Sequence, residues 1–533
     1  MNRHLSVFMN LFRLPKETRP LPRNAIIALI LFLYFLELVR TAWISDDSAI
    51  TIRSVMNFTH GYGPTFNIDE RVQAYTHPLW FLVISGFSIV LENVFFTTLL
   101  LSCSLSLAAL WFLTTYYASN FWAGILASSA LLLSKAYVDF STSGLENPFS
   151  HVILIVLLAL SLKCTTKSRQ SWHLIVFVLT VSLLYLNRPD LLILIGPIFI
   201  LVIIKNLHNP TTLARALAIG GLPVLLWTGF SVFYYGFPFP NTAYAKLGTG
   251  IPIVELGRQG IRYFLDSIRR DPVTLASITL GLMIGFRSCF FNKILASGIL
   301  AYIVYIVSIG GCFMSGRLLT APLFVAAAII ARSALVPRQL ITLAIGLGVL
   351  GGMNLNATLL SASSYNNPII GADGIADERG FYFQRFGLLN EKMEPFYRVP
   401  TWDVNERAVV VMCGGLGFFG IRGGPGVHLI DFCALADPLL AHLPAKYTPY
   451  WRIGHFGRQL PTYYRESIEK NANLLADQQT RDYYESIRKI TRGPLLSLDR
   501  LREIVRINLG LVDKPNWDMY RNHVVPRSTK YQF

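Results

Sequence analysis

"NAIIALILFLYFLELVRTAWISDDSAITIR" (residues 24–53) holds a mostly apolar run of about twenty residues, soon followed by two adjacent carboxylates, Asp46 and Asp47. The apolar run, 25–44, is long enough to cross a bilayer as a helix. Arg3, Arg13, Lys16, Arg19 and Arg23 precede it and no small-residue cleavage site follows, so we expect an uncleaved span rather than a signal peptide. Carboxylates set against lipid are costly, which makes a pair at the rim of a span a candidate for function.

The rest of the chain repeats the pattern. Of 533 residues 53% are apolar and only 15% charged, far below the quarter expected of a soluble protein. Apolar runs recur at 95–114, 120–134, 149–162, 172–187, 190–204, 216–235, 273–286, 294–311, 319–331 and 339–356. A further run, Pro78–Leu91, has 14 residues, a length that suits an interfacial or re-entrant segment. The connections Lys163–Ser171, Lys205–Arg215, Arg287–Lys293 and Arg332–Arg338 hold nine Lys/Arg and no acid. Basic loops mark the cytoplasmic side. All of them, and the basic N-terminus, fall on that side only if Pro78–Leu91 does not cross. Eleven spans follow, with residues 1–356 as the membrane part and 357–533 as a C-terminal extracytoplasmic domain. The outer loops 45–94, 135–148, the turn 188–190, 236–272 and 312–318 then collect nearly every acid of the membrane part. The net charge of +16 lies mostly in residues 1–356, where it orients spans; no basic, aromatic-laced surface points to nucleic acid.

In the C-terminal part, "RAVVVMC" (407–413) and "VHLIDFC" (427–433) read as buried strands, and "PTYYRESIEKNANLLADQQTRDYYESIRKI" (461–490) as a helix with one solvated face. We expect Cys413 and Cys433 to be unpaired core residues, a disulfide being the alternative if this region is extracytoplasmic. "GLGFFG" (415–420) matches GxGxxG, but only "IRGGPG" separates it from the second strand, so we expect no helix there and no dinucleotide site. No Cys/His spacing suggests a metal, and no cofactor is implied.

The first outer loop, with "DDSAITIR", "HGYGPTFN" and "DERVQAYTHPLW", is the strongest candidate site. Its bland reading is that Asp46 or Asp47 caps a helix beginning at Ser48. Arg53, Tyr75 and His77 in the same loop exceed a cap's needs. Glu146 in "STSGLENPFS" is a cap-box or loop acid if not a site residue. Arg188 and Asp190 in "LNRPDLL" close a turn by an ion pair or serve the site. Lys246 and Arg317 snorkel at span ends or meet an anion such as a phosphate.

These blocks, with "FPNTAYAKL", "GGCFMSGR", "GIADERGFY", "VHLIDFCALADPLLAHLP" and "WRIGHFGRQLP", together resemble the mycobacterial terminal β-(1→2) arabinofuranosyltransferase family of C-type membrane glycosyltransferases. The resemblance runs from about residue 25 to 465. It implies a polyprenyl-phospho-arabinofuranose donor, chemistry on the outer face, and an acid of the first outer loop as catalytic group. An acid usually stands in that family where Cys312 stands here.

The residues and the resemblance converge on one scheme. The prenyl tail of the donor stays in the bilayer while a carboxylate takes the acceptor hydroxyl's proton. Two neighbouring carboxylates split their pKa values, and Asp46 is favoured over Asp47 as base. Arg53, His77, Glu146, Arg188, Asp190, Lys246 and Arg317 are the expected donor phosphate and sugar contacts. Asp377, Glu378, Arg379, Arg452, His455 and Arg458 either contact the acceptor or form a polar network joining the C-terminal domain to the membrane part. The acceptor is a cell-envelope glycan or surface protein. A divalent ion on the Asp pair is a minority reading, and a flippase of the same lipid-linked sugar is the alternative function. A single base predicts inversion; a β donor giving a β product needs two displacements.

Overall fold

The computed structural model describes residues 21–165, 171–247, 249–354, 370–389, 402–404, 406–446 and 451–515. Arg3, Arg13, Lys16, Arg19, Lys167 and Arg169, on which part of the charge argument rests, lie outside them.

Each of the eleven apolar runs is a helix. Five, Arg23–Thr41, Val94–Tyr117, Asn147–Thr165, Pro210–Tyr234 and Phe290–Ser308, are long and apolar enough to cross a membrane. Phe121–Leu132, Ser171–Asn187, Leu191–Asn206, Pro272–Arg287, Thr320–Ala331 and Pro337–Gly352 are shorter. Large apolar side chains stay on the surface, among them Leu225 at 67% and Val304 at 67% exposure, which only a lipid solvent tolerates on this scale. The chain is thus a polytopic α-helical membrane protein. Its innermost helix is Thr320–Ala331, TAPLFVAAAIIA, in which every residue is buried; a helix apolar all round has no face to offer water. A single 3₁₀ turn, Arg317–Leu319, leads into it and so fixes Arg317 at the end of the most central element.

Pro78–Leu91 is also helical, with proline in its first turn, where a missing N–H costs nothing. Before it, Asp46–Thr59 is a helix outside the apolar runs, yet eleven of its residues are buried. It is covered by the C-terminal region. There β1 (Ala408–Met412) and β2 (Val427–Asp431) pair in parallel, Val410 opposite Leu429. Parallel strands require a crossover. The helix Leu416–Gly423 provides it, so the expectation of no helix between the strands is corrected. "GLGFFG" is itself the helix, not the loop before one. Cys413 and Cys433 are disulfide-bonded, against the expectation of free thiols: they follow the C-terminal ends of β1 and β2, which the parallel register, Met412 opposite Asp431, sets side by side. The single helix expected over 461–490 is two, Tyr464–Glu469 and Gln478–Arg492, broken where Asn471 takes a positive φ of 47°.

Polar contacts lock the first loop to this region. Asn67 Nδ2 donates to the Leu429 carbonyl at 3.1 Å and Asn67 Oδ1 accepts from Leu429 N–H at 3.0 Å, extending β2. Asp69 pairs with His428 at 2.8 Å and with Arg492 at 2.8 Å, and Glu70 pairs with Arg492 at 3.2 Å.

A charged cluster where the helix ends meet

The two aspartates open the helix Asp46–Thr59, but neither is its cap. Ser45 is, its hydroxyl accepting from Ser48 N–H at 3.2 Å. Consecutive residues on a helix point about 100° apart, and the pair divides accordingly. Asp46 is buried and caps another helix: Phe418 N–H donates to its Oδ1 at 2.9 Å, at the N-terminus of Leu416–Gly423. Helix N-termini bind anions through such free N–H groups. Here a carboxylate of the same chain fills the place that a GxGxxG loop offers to pyrophosphate. The glycines serve packing. A Cβ on Gly417 would stand 2.3 Å from the Asp46 carbonyl oxygen, and one on Gly420 would stand 2.3 Å from Arg53 Nη1. Burial pushes Asp46 up to about 7 against the pull of the Phe418 N–H, and the charge of Asp47 adds to the rise.

Asp47 takes the other direction. Its side chain is 27% exposed and lies 3.4 Å from Arg317 Nη1. Arg317 Nη2 reaches Glu146 at 3.2 Å. Glu146 is the hub. It is 2% exposed and also meets His77 at 3.3 Å and Arg188 Nε at 3.7 Å. Although burial opposes ionisation, Arg317, His77 and Arg188 together hold its pKa down to about 2. His77 links Glu146 to the Thr51 hydroxyl at 2.8 Å; burial lowers its pKa, so the neutral ring, donating through Nδ1 and accepting at Nε2, fits both. Arg188 is bidentate on Asp190, at 3.2 and 2.5 Å, and donates to Tyr302 Oη at 2.9 Å. Even so, among the described residues Arg188 Nη1 and Arg317 Nε are buried N–H groups that find no hydrogen-bond partner. Arg53 Nη1 and Arg71 Nε are left unmet in the same way, but the donors of Arg188 and Arg317 stand in the cluster that holds the partly exposed Asp47.

Residues of the C-terminal region lie close enough to this cluster to feel its charges. Glu378 is 8% exposed, and burial with the nearby charge of Asp47 pushes it up to about 8. Burial and the Arg452 charge hold His455 down to about 4, with Asp47 acting in the opposite sense. Arg452 is steadied by the Gly374 carbonyl at 2.8 Å and lies over Phe313 at 5.3 Å. Cys312 is close enough to Arg317, Lys246 and Asp47 to feel their charges, and burial raises its pKa. Lys246 itself is exposed, at the end of the short helix Asn241–Lys246.

Four of the residues singled out from sequence serve the framework instead. Arg53 spends Nε on the Phe66 carbonyl at 2.8 Å and Nη2 on that of Val427 at 2.6 Å, stacked over Phe66. Asp377 caps Glu378–Phe386 through Gly380 N–H and pairs with Lys135 at 3.1 Å. Arg379 pairs with Asp139 at 2.7 Å, and Lys135 also binds Asp139. Arg458 donates to the carbonyls of Cys433, Phe456 and Ala245. The joining-network reading therefore fits Asp377, Arg379 and Arg458, while Glu378 and His455 are close enough to Asp47 and Arg452 to feel their charges. Sequence reasoning missed Tyr302, the Lys135–Asp139 pair, and Tyr382, which stacks on Trp43 at 6.5 Å and is raised by burial and by the charges of Asp46 and Glu378. "KAYVD" (135–139) did carry a legible signal, a Lys/Asp pair at i,i+4 beside a span.

The fold and the cluster define a polytopic membrane protein with a charged, partly open site at the ends of its helices. The chain is similar to a curated protein of Mycobacterium tuberculosis named terminal β-(1→2)-arabinofuranosyltransferase, with 27% identity over 79% of this chain and 82% of that one. A protein of the same name from Corynebacterium glutamicum is 28% identical over 53% of this chain and 46% of its own length. The resemblance carried by the sequence blocks thus extends over most of the chain. No family model matches it. Among solved structures, ArnT from Cupriavidus metallidurans bound to undecaprenyl phosphate is similar with a TM-score of 0.49 and 12% identity, over 78% of this chain and 88% of that one. The Archaeoglobus fulgidus oligosaccharyltransferase in complex with zinc and sulfate gives a TM-score of 0.41 at 12% identity, over 78% of this chain and 63% of that one.

Proposed function

We propose that this chain is an extracytoplasmic glycosyltransferase that moves arabinofuranose, or a related sugar, from a polyprenyl-phosphate donor to a hydroxyl of a cell-envelope glycan or surface protein. The names of the two curated relatives support the sugar-transfer reading. The observation that carries it is the pairing of a partly open carboxylate, Asp47, with Arg317, whose Nε has no partner.

The donor's phosphate is an anion that gains charge as the sugar leaves. Arg317 and Arg188 supply guanidinium N–H groups for it, held in place by Glu146, with Lys246 as a further point charge at the rim. Preorganised cations in a buried setting stabilise such charge without reorganising. Asp47 is the base in this reading. It lies 3.4 Å from Arg317 and is open to an incoming hydroxyl, whereas Asp46 is occupied by Phe418 N–H. It takes the hydroxyl proton as the anomeric carbon acquires oxocarbenium character. Glu378, Arg452 and His455 form the acceptor side.

The test is transfer from radiolabelled polyprenyl-phospho-arabinofuranose by purified protein. Loss of transfer in Asp47→Asn with donor binding retained supports the assignment. Wild-type turnover in that variant rejects Asp47 as base, and donor flipping into liposomes without product rejects transfer altogether.

A further inference from the structure

The helix Ile253–Arg270 is the most sharply two-sided surface in the molecule. Its inner face builds the site. Tyr263 Oη donates to the Met314 carbonyl at 3.2 Å and accepts from Leu318 N–H at 3.1 Å, and Ser315 Oγ donates to Asp266 at 2.6 Å. These three bonds span the loop that carries Cys312 and Arg317.

The outer face is unlike a soluble surface. Val254, Ile261, Leu265 and Ile268 recur at helical spacing on one stripe and are 68%, 56%, 47% and 54% exposed. Arg258, Arg262 and Arg269 run alongside the stripe, all exposed. Among the described residues, none of the three makes a hydrogen bond or ion pair. Two residues beyond the helix, Pro272 starts the apolar helix Pro272–Arg287. An apolar stripe bordered by unpaired arginines, continuous with a membrane helix, matches a helix lying in the headgroup layer. Its apolar side sinks toward acyl chains, and guanidinium groups bind phosphate oxygens.

We propose that Ile253–Arg270 is a docking surface for the anionic phospholipids of the surrounding bilayer, and that their binding to Arg258, Arg262 and Arg269 steadies the Arg317 loop through Tyr263 and Asp266. The link to catalysis rests on the reading of Arg317 as the donor's phosphate contact; the docking itself does not.

The experiment uses full-length protein in nanodiscs of phosphatidylcholine alone or mixed with phosphatidylglycerol. Spin labels at Ile261→Cys and Leu265→Cys, in a Cys289→Ser background, report immersion through oxygen against nickel-chelate accessibility. Labels that enter the acyl region, more deeply with phosphatidylglycerol, support the docking. Labels that stay water-accessible in both lipids overturn it. Transfer activity is read in parallel: it rises several-fold with phosphatidylglycerol, and the triple change R258Q/R262Q/R269Q removes that rise while leaving activity in phosphatidylcholine unchanged. A triple variant that keeps the lipid dependence overturns the role of the arginines. A triple variant weakened equally in both lipids, with raised KM for the polyprenyl donor, assigns the surface to the donor instead and also overturns the proposal. Absence of transfer from every preparation counts against the transferase reading and leaves the spin-label result to decide the docking.

Discussion

Phe418 N–H donates to Asp46 Oδ1 at 2.9 Å across 372 residues of sequence. The start of the first loop and the crossover helix of the C-terminal sheet are therefore one unit. The aspartate beside it is left to face Arg317.

Asn at each aspartate separates the two roles. Asp47→Asn lowers transfer by about 10²- to 10⁴-fold, the range of a lost general base, without changing the thermal melt. Asp46→Ala leaves Phe418 N–H unsatisfied in a buried place and costs about 1–3 kcal/mol, seen as a lower melting temperature. Loss of transfer in Asp46→Asn with full activity in Asp47→Asn would reverse the assignment.

Glu146→Gln uncouples two guanidinium cations, Arg317 and Arg188, and the His77 ring from one carboxylate. Removing one member of a buried charged cluster costs about 3–5 kcal/mol, and donor affinity falls with it. Because the folded pKa is held down to about 2, the stabilisation is complete above the unfolded carboxylate value, about 4.3, and is lost as pH falls from there toward 2. Acid denaturation of wild type and Glu146→Gln, followed by near-UV circular dichroism, should converge below that window.

Glu378 has the opposite sign. Its folded pKa is raised to about 8, so the native state holds its proton more tightly than the unfolded chain and stability falls as pH rises from about 4.3 toward 8. Glu378→Gln removes that decline. Thermal melts between these limits should show a flatter profile for the variant, together with a raised KM for acceptor. An unchanged slope would mean Glu378 is not buried against Asp47.

Arg379→Met strips Asp139 of a buried partner and is expected to destabilise by about 3–5 kcal/mol without altering acceptor KM in the surviving fraction. A shift in acceptor KM alone would return Arg379 to the acceptor site.

Breaking the Cys413–Cys433 bond, by reduction or Cys413→Ser, opens a loop that holds the crossover helix and β2 between cysteines 20 residues apart. A closed loop of that size is worth about 3 kcal/mol. The helix Leu416–Gly423 loosens from Asp46, so melting temperature and transfer fall together.

Much of the fold was legible because lipid enforces a simple code. A span needs an unbroken apolar run, and each of the eleven runs became a helix. The acids at the run ends were legible for the same reason, and Glu146, Arg188, Asp190, Arg317 and His77 do meet in one cluster. Arg53 was not legible as a framework residue, since its partners are carbonyls, which every sequence position owns. The "GLGFFG" helix was missed because glycine has poor helix propensity; its glycines are tolerated where Asp46 and Arg53 press against the backbone.

The sequence by itself determined a membrane protein with its acids and bases gathered at helix ends, because burial in lipid leaves polar groups nowhere else to go. Only the tertiary structure gave Asp46 and Asp47 different surroundings. The two share composition, neighbours and helix turn, and what separates them is which side a helix N-terminus from the far end of the chain approaches. It takes one carboxylate as its cap and leaves the other partly open beside an arginine.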